Sequence, residues 1–303
     1  MLIINKSKYS HIALSFTLIL LSGSGYAADP SVDAIQRQQQ RDENLQKHIQ
    51  PEVDVRLEAD KAVAATQQLQ FLQSHSEQLC FAIKNIELDG EDAQKFKFAL
   101  KAITRGEHRI IGRCLGVQGL NQAVDLVQNN IISRGYVTTR VMLPQQNIAS
   151  GEVVLKLIAG RVNQVQFAEN TSKRAHRWNA LPIQTGDLLN IRALEQGLEN
   201  FKRVPTVEAD FKIQPSESND APGYSDVILA WQQVKPYRLH LGIDDAGSKS
   251  TGKYQGTATL SLDHLLTLND LFYISYNHDL GGGDSGKRST DGFYASYSIP
   301  FDY

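Results

Sequence analysis

The sequence predicts two α+β units followed by the start of an antiparallel sheet of the transmembrane β-barrel kind. Three observations carry that expectation. A strand–helix–helix–strand–strand order runs over residues 79–160 and returns in degenerate form over residues 161–234. A β-hairpin closes the first unit. Residues 136–143 alternate as a strand does, Pro144 stops them, Asn147, Ser150 and Gly151 supply turn chemistry, and Val153, Leu155 and Leu157 begin a second period-two run that ends at Gly160. From Pro236 the composition changes. Segments 237–243, 255–262, 271–278 and 293–299 alternate between Gly- or Asp-rich turns, and Tyr254, Phe272, Tyr273, Tyr276, Phe293, Tyr294 and Tyr297 gather there. That pattern is the per-segment signature of a transmembrane barrel. A soluble β-sandwich fragment is the alternative reading of these four strands.

The N-terminus reads as a secretory signal. Lys6 and Lys8 precede a short apolar run over 12–21, and Ser-Gly-Ser-Gly-Tyr-Ala-Ala follows, so cleavage is expected after Ala27 or Ala28 and residues 1–27 are the leader. The run is too short to span about 30 Å of hydrocarbon, and no later apolar run is long enough for a membrane helix. Insertion in a membrane therefore falls to strands. With 303 residues, 41% of them hydrophobic, the chain can bury more than one small core. A formal net charge of −2 gives no electrostatic footprint for nucleic acid. Cys80 and Cys114 are the only cysteines. In an exported chain an even pair reads as a disulfide, the alternative being two buried thiols. Two isolated thiols lack the clustered ligand spacing of a zinc site.

Residues 29–50 read as a polar helix. Pro30 suits a first helical turn, and Gln, Arg, Glu and Lys surround a few apolar positions, with a Gln-rich linker as the alternative. Residues 51–77 look like a tether. In the first unit, 79–88 alternates as a strand and closes at Asp89-Gly90, and 93–103 is helical with Phe96, Leu100 and Ile103 on one face. Leu120, Val124, Val127 and Ile131 then repeat at helical spacing before the hairpin. Such an order packs two helices on one face of a three-stranded sheet. In the second unit 161–168 is strand-like, and Ile191, Leu194, Leu198 and Phe201 form the apolar face of a helix that ends before Pro205. Segments 207–213 and 226–234 alternate around a Pro/Ser/Asn/Gly turn.

The stretch RGYVTTRVMLPQQNIASGEVVLKLIAGRV, with its GYVT strand, Pro-x-Gln turn and closing Gly-Arg, resembles the end of the first POTRA domain in two-partner secretion transporters, the haemolysin-activator or TpsB family. LNIRALEQGLENFKRVP resembles the helix of that family's second POTRA domain, and the Asp-Ala-Gly-Ser turn with Thr251-Gly252 resembles its first barrel hairpin. The resemblance implies POTRA 1 over 78–160, POTRA 2 over 161–235 and the first four strands of an outer-membrane barrel over 236–303. It also implies a plug helix over 29–50. Bacterial barrels need at least about eight strands, so the chain stops inside the barrel, which suggests a truncated reading frame or a fragment.

The implied function is that of an outer-membrane translocator whose periplasmic domains capture an unfolded secreted exoprotein of the haemolysin, filamentous haemagglutinin or contact-dependent inhibition type. Outer-membrane lipid is the other expected contact. No enzyme, cofactor, metal, nucleotide or nucleic-acid role is expected. The rival is a periplasmic, chaperone-like interaction module whose barrel remnant never inserts. Gly281 to Lys287 spells most of a phosphate loop, but Arg288 stands at the Ser/Thr position and a strand follows, so a strand-connecting loop is the better reading. Asp244 and Asp245 point to opposite faces of a strand and read as loop-edge residues. The eight histidines are scattered. The candidate site is the edge strand of the first hairpin. If the last strand lies in the middle, residues 136–143 form an open edge, with Tyr136, Thr138, Thr139, Arg140 and Met142 as contact positions for an extended client. A solvated edge protected by its Arg and Thr residues is the alternative.

Overall fold

The computed structural model describes residues 80–106, 108–217, 222–247, 252–282 and 291–300, with short pieces before them at 13–18, 40, 43–44, 47 and 53–56. Most of the leader, the plug helix and the tether lie outside the described residues. Within 29–50, only Gln40, Glu43, Asn44 and Lys47 are described. They are helical and exposed, and share one face of a helix.

The first domain is a mixed three-stranded sheet under a helical layer. The predicted first strand divides into β2 (Phe81–Ala82), which pairs with β4 (Cys114–Leu115), and β3 (Asn85–Asp89). The first helical run is α1 (Ala93–Phe96), a 3-10 turn over Lys97–Leu100, and α2 (Lys101–Thr104). The long helix α3 (Val117–Ser133) buries Leu120, Ala123, Val127 and Ile131. The hairpin strands are β5 (Arg140–Met142) and β6 (Glu152–Ile158). Sheet order is β3-β6-β5, with β6 parallel to β3 and antiparallel to β5. Alternate residues Val153, Leu155 and Leu157 of β6 meet Phe96, Ile103, Val127 and Ile131 in one core. Each such side chain contributes about 1.5–3 kcal/mol on full burial. A disulfide joins Cys80 to Cys114, with Cα atoms 5.3 Å apart, beside the β2–β4 pair.

The second domain repeats the sheet. Strands β7 (Arg161–Phe167), β8 (Val207–Pro215) and β9 (Tyr224–Gln233) lie in the order β7-β9-β8, with β7 parallel and β8 antiparallel to β9. One helix, α4 (Ile191–Lys202), packs on it through Leu194, Leu198 and Phe201. The predicted two-helix repeat is therefore incomplete here, because no helix forms over 168–190. That segment bonds instead to β9 backbone, Ala168 N–H to Leu229 O and Ser172 N–H to Trp231 O. Pro182 and Gly186 interrupt helix formation further along. At Gly197 helix α4 comes so close to the segment that a Cβ would sit 2.5 Å from Leu181 Cδ1.

Four strands follow as a meander: β10 (Tyr237–Asp244), β11 (Tyr254–Asp263), β12 (Leu271–Gly281) and β13 (Asp291–Pro300), all antiparallel. Their two faces are inverted relative to a water-soluble sheet. Leu239, Leu241 and Ile243 of β10, with Leu260, Ile274 and Phe293 opposite, are exposed. The polar set Gln255, Thr259, Ser261, Asp263, Ser275, Ser296 and Ser298 is buried on the other face. Thr259 and Ser275 hydroxyls bond at 2.8 Å across the ladder, and Thr257 donates to Asn277 at 2.7 Å. Arg238 grips fully buried Asp263 at 2.8 and 3.0 Å.

Residues 13–18, inside the expected leader, form a fifth strand, β1 (Ala13–Leu18), paired antiparallel with β13 from Ala13↔Pro300 to Leu18↔Ala295. A short apolar run rich in Leu, Phe and Thr suits a strand as well as a leader, and the β13 edge gives it backbone partners.

Candidate functional site: an open edge and the joints behind it

The predicted edge exists but is shorter than the period-two pattern implied. Strand β5 covers Arg140–Met142, while residues 136–139 form a turn closed by Thr139 N–H to Tyr136 O. The reason lies at the end of α3. Gly135 adopts φ +91°, and its N–H and that of Tyr136 return to the carbonyls of Ile132 and Ile131, which is a Schellman stop. The chain then needs a turn to reach the sheet. Tyr136 spends its ring on the core, edge-on to Phe96 at 4.9 Å between centroids.

Thr139, predicted to face a client, is fully buried, and its Oγ1 accepts the N–H of Gly160 at 3.0 Å. Thr138 lies against the same glycine, where a Cβ on residue 160 would stand 2.0 Å from its Oγ1. Both threonines therefore belong to the joint between the domains, because Gly160 passes too close to spare them for solvent. Arg140 and Met142 are exposed, whereas Val141 between them is buried. Arg140 folds back on its own turn, donating to Val137 O at 2.8 Å and Thr139 O at 3.2 Å.

Two glutamines already occupy this edge. Gln128, on α3, donates Nε2–H to Thr139 O at 2.8 Å and accepts Val141 N–H at 2.8 Å. Gln146 donates to Val154 O at 2.7 Å and accepts Val154 N–H at 2.8 Å. It thereby covers the stretch of β6 beyond the end of β5, next to Pro144, which has no N–H to offer.

Behind the edge, the two domains are joined tightly. Gly160 O accepts from Leu189 N–H, and Arg161 pairs with Glu91 at 2.7 Å and with Asp92. The end of α3 meets the start of α4 head to tail. Ile191 N–H donates to Gly135 O at 2.8 Å, and Asn190, the N-cap of α4, donates Nδ2–H to Arg134 O at 3.1 Å. The negative end of one helix dipole thus faces the positive end of the next.

The far end of α4 reaches the meander. Arg203 at its C-cap is buried and donates to Asn269 O at 3.2 Å and Ser298 Oγ at 2.8 Å. Burial pulls this guanidinium down to about 10, opposed by the nearby Asp270 charge. The turn between β11 and β12 is wound through left-handed His264, Thr267 and Asn269, and Asp270 clamps it by accepting the N–H groups of Leu266 and Leu268 at about 3.0 Å. The second domain holds this turn by Arg174 to His264 O, Asn179 to Leu268 O, and Asn269 Nδ2 to Asn179 Oδ1 at 3.0 Å. His264 accepts Asn269 N–H on Nδ1 at 3.1 Å and bonds Arg174 O through Nε2 at 2.8 Å. That is the pattern of a neutral ring with its proton on Nε2. Burial lowers the His264 pKa accordingly, with the Arg174 carbonyl and Asp270 opposing.

This joint escaped sequence reasoning. DHLLTLND reads as a turn, and only its unusual load of Asp, His and Asn signals more. Among the described residues no cluster of His, Cys, Asp and Glu could hold a metal. No helix among the described residues is long and apolar enough to cross a membrane. Asp244 caps its own loop through Ala246 N–H. Of the Gly281–Lys287 stretch, only Gly281 and Gly282 are described.

Three family models match consecutive stretches of the chain: the ShlB-type POTRA domain over 81–160, a POTRA domain over 161–215, and haemolysin secretion/activation protein ShlB/FhaC/HecB over 223–303. The outer membrane transporter CdiB-2 of Burkholderia pseudomallei is 40% identical over 193 residues, 63% of this chain and 32% of that protein. The outer membrane transporter CdiB of Dickeya dadantii is 30% identical over 226 residues, 74% of this chain and 38% of that protein. The solved structure of CdiB from Acinetobacter baumannii superposes with a TM-score of 0.71 at 27% identity, covering 92% of this chain and 52% of that one. The chain thus spans about a third of these curated relatives and about half of the solved structure.

Proposed function

The chain belongs to the two-partner secretion transporter family, and on that premise we propose that it is the periplasmic and first barrel portion of an outer-membrane translocator. The family is one of transporters rather than enzymes. The observation that carries the reading is the inversion of the meander, with Leu239, Leu241 and Ile243 outward and the Thr, Ser and Asp residues inward. Hydrocarbon rewards the first face and a water-filled lumen accepts the second. The two α+β domains stand before the meander in the chain and are bolted to its β11–β12 turn, so that turn faces the periplasm.

The partner is a secreted exoprotein, taken up unfolded through its N-terminal secretion domain. The exposed part of the first sheet's edge, Arg140 and Met142, is the contact for it, since the threonines serve the joint. The leader is removed on export, which takes β1 away and frees the β13 edge for the next barrel strand. Residues 29–50 plug the lumen, and their polar composition suits water on all sides. The test is fractionation with cross-linking: the full chain expressed with a photoreactive residue at Met142 should sediment with outer membranes and label an unfolded exoprotein secretion domain. Labelling absent in correctly fractionated material, with Val117 (71% exposed, on α3) as control position, would remove the capture role.

A further inference from the structure

The two hydrogen-bonding groups that an incoming strand needs first on β5 are Thr139 O and Val141 N–H; Gln128 holds both, and Arg140 is a second, longer donor to Thr139 O at 3.2 Å. All three residues of β5 have register partners on β6, but in an antiparallel ladder hydrogen-bonded pairs alternate with non-hydrogen-bonded ones, and Val141 N–H is directed to Gln128 on α3, so residues 139, 141 and 143 turn their backbone groups away from β6. Gln128 reaches this outer edge from the middle of α3, with both of its bonds at 2.8 Å. A primary amide carries the same donor and acceptor as a peptide group. The site is thus filled by a piece of peptide chemistry that the domain supplies itself, which identifies what fits there: the backbone of an extended segment.

We infer that Gln128 is a latch that keeps the β5 edge closed until an extended segment of the secreted partner displaces its amide from Thr139 O and Val141 N–H. This rests on the translocator reading and adds how its capture edge is regulated. Displacement exchanges two side-chain bonds for two backbone bonds, and the following edge positions, Val141 O and Leu143 N–H, extend the ladder in the same direction. The exposed Arg140 and Met142 side chains then flank the new strand on the solvent face. The latch also explains how an exported domain carries an open edge without pairing to other copies, a task natural edges solve by some covering device. Gln146 does the same for Val154 on β6, so the opening beside it is confined to the β5 stretch.

The experiment compares full-length wild type with Gln128→Leu, which keeps the packing stem and removes both bonds, and with Gln128→Glu, which keeps the acceptor for Val141 N–H and loses the donor to Thr139 O. The probe is a fluorescently labelled, urea-unfolded N-terminal secretion domain of a two-partner exoprotein, titrated by anisotropy against each chain in detergent micelles. Hydrogen exchange at Val141 reports whether the latch is open. The expected result is faster Val141 exchange in Gln128→Leu with about tenfold tighter binding, the factor that corresponds to roughly 1.4 kcal/mol, and an intermediate value for Gln128→Glu. Binding by Gln128→Leu no tighter than by wild type, with Val141 exchange accelerated in the variant, overturns the latch and leaves the translocator reading standing. Absence of binding by all three chains overturns both.

Discussion

Replacing Thr139 by valine probes the joint on which the whole arrangement of domains depends. The side chain is fully buried, and its Oγ1 accepts the Gly160 N–H at 3.0 Å. Valine fills nearly the same volume, so packing is preserved and the loss is confined to that acceptor. Gly160 is itself buried, and water cannot take the vacant position. A buried donor left without a partner costs about 1–3 kcal/mol. With a urea dependence of about 1–3 kcal/mol per molar, a loss of about 2 kcal/mol lowers the unfolding midpoint by roughly 1 M. Trp231 is fully buried in the second domain and gives the fluorescence signal. Thr139→Ser keeps the hydroxyl and should lose far less. A valine variant as stable as wild type, or a serine variant as damaged as valine, would refute the assignment of Thr139 to the joint and return it to the open edge.

Three further outcomes are expected. Cys80 and Cys114 are separated by 34 residues, and in the chain-entropy model closing such a loop stabilises by about 4 kcal/mol; Cys80→Ser with Cys114→Ser should unfold at lower urea, and non-reduced peptide mapping should recover the pair bonded. His264 has its folded pKa below the ordinary 6.5, so the folded state takes up its proton less readily than the unfolded chain. Its contribution is therefore intact above pH 6.5 and is lost as pH falls through the folded value, so amide protection factors in the β11–β12 turn, referred to the intrinsic exchange rate at each pH, should fall from pH 7.5 to 5.5, and His264→Gln should weaken that dependence. Gly135→Ala should also loosen the domain joint, since φ is +91° and the new Cβ would stand 2.2 Å from Asn190 Oδ1; the sign to look for is faster exchange at Ile191 without loss of the α3 core.

The order of strands and helices in the first unit, the four meander strands and the helix over Ile191–Lys202 were legible because each rests on a local signal, either a period of two or an apolar stripe. What was not legible depends on contacts far apart in the chain. Residues 136–139 alternate as a strand would, but Gly160 and the Schellman stop at Gly135 bend them into a turn. The second domain's missing helix is replaced by backbone bonds to β9, which no periodicity in 168–190 announces. Gln128 sits at a helix position where glutamine is ordinary, and only its distance to Thr139 and Val141 shows its task. The Arg203–Asn269–Asn179 network joins residues 66 and 90 positions apart, and composition alone gives no means of pairing them.

The central claim is that the meander is a membrane wall, apolar toward lipid and polar toward a lumen. Site-directed spin labels placed one at a time along β10 and β11 test it directly, at Leu239, His240 and Leu241 and at Ala258, Thr259 and Leu260, in the chain reconstituted in lipid bilayers. Collision rates with oxygen, which concentrates in hydrocarbon, should be high at Leu239, Leu241, Ala258 and Leu260. At His240 and Thr259 they should be low, with a water-soluble nickel complex showing the opposite alternation. Labels that all collide with nickel alike, with no two-residue period in oxygen accessibility, would contradict a membrane-embedded sheet.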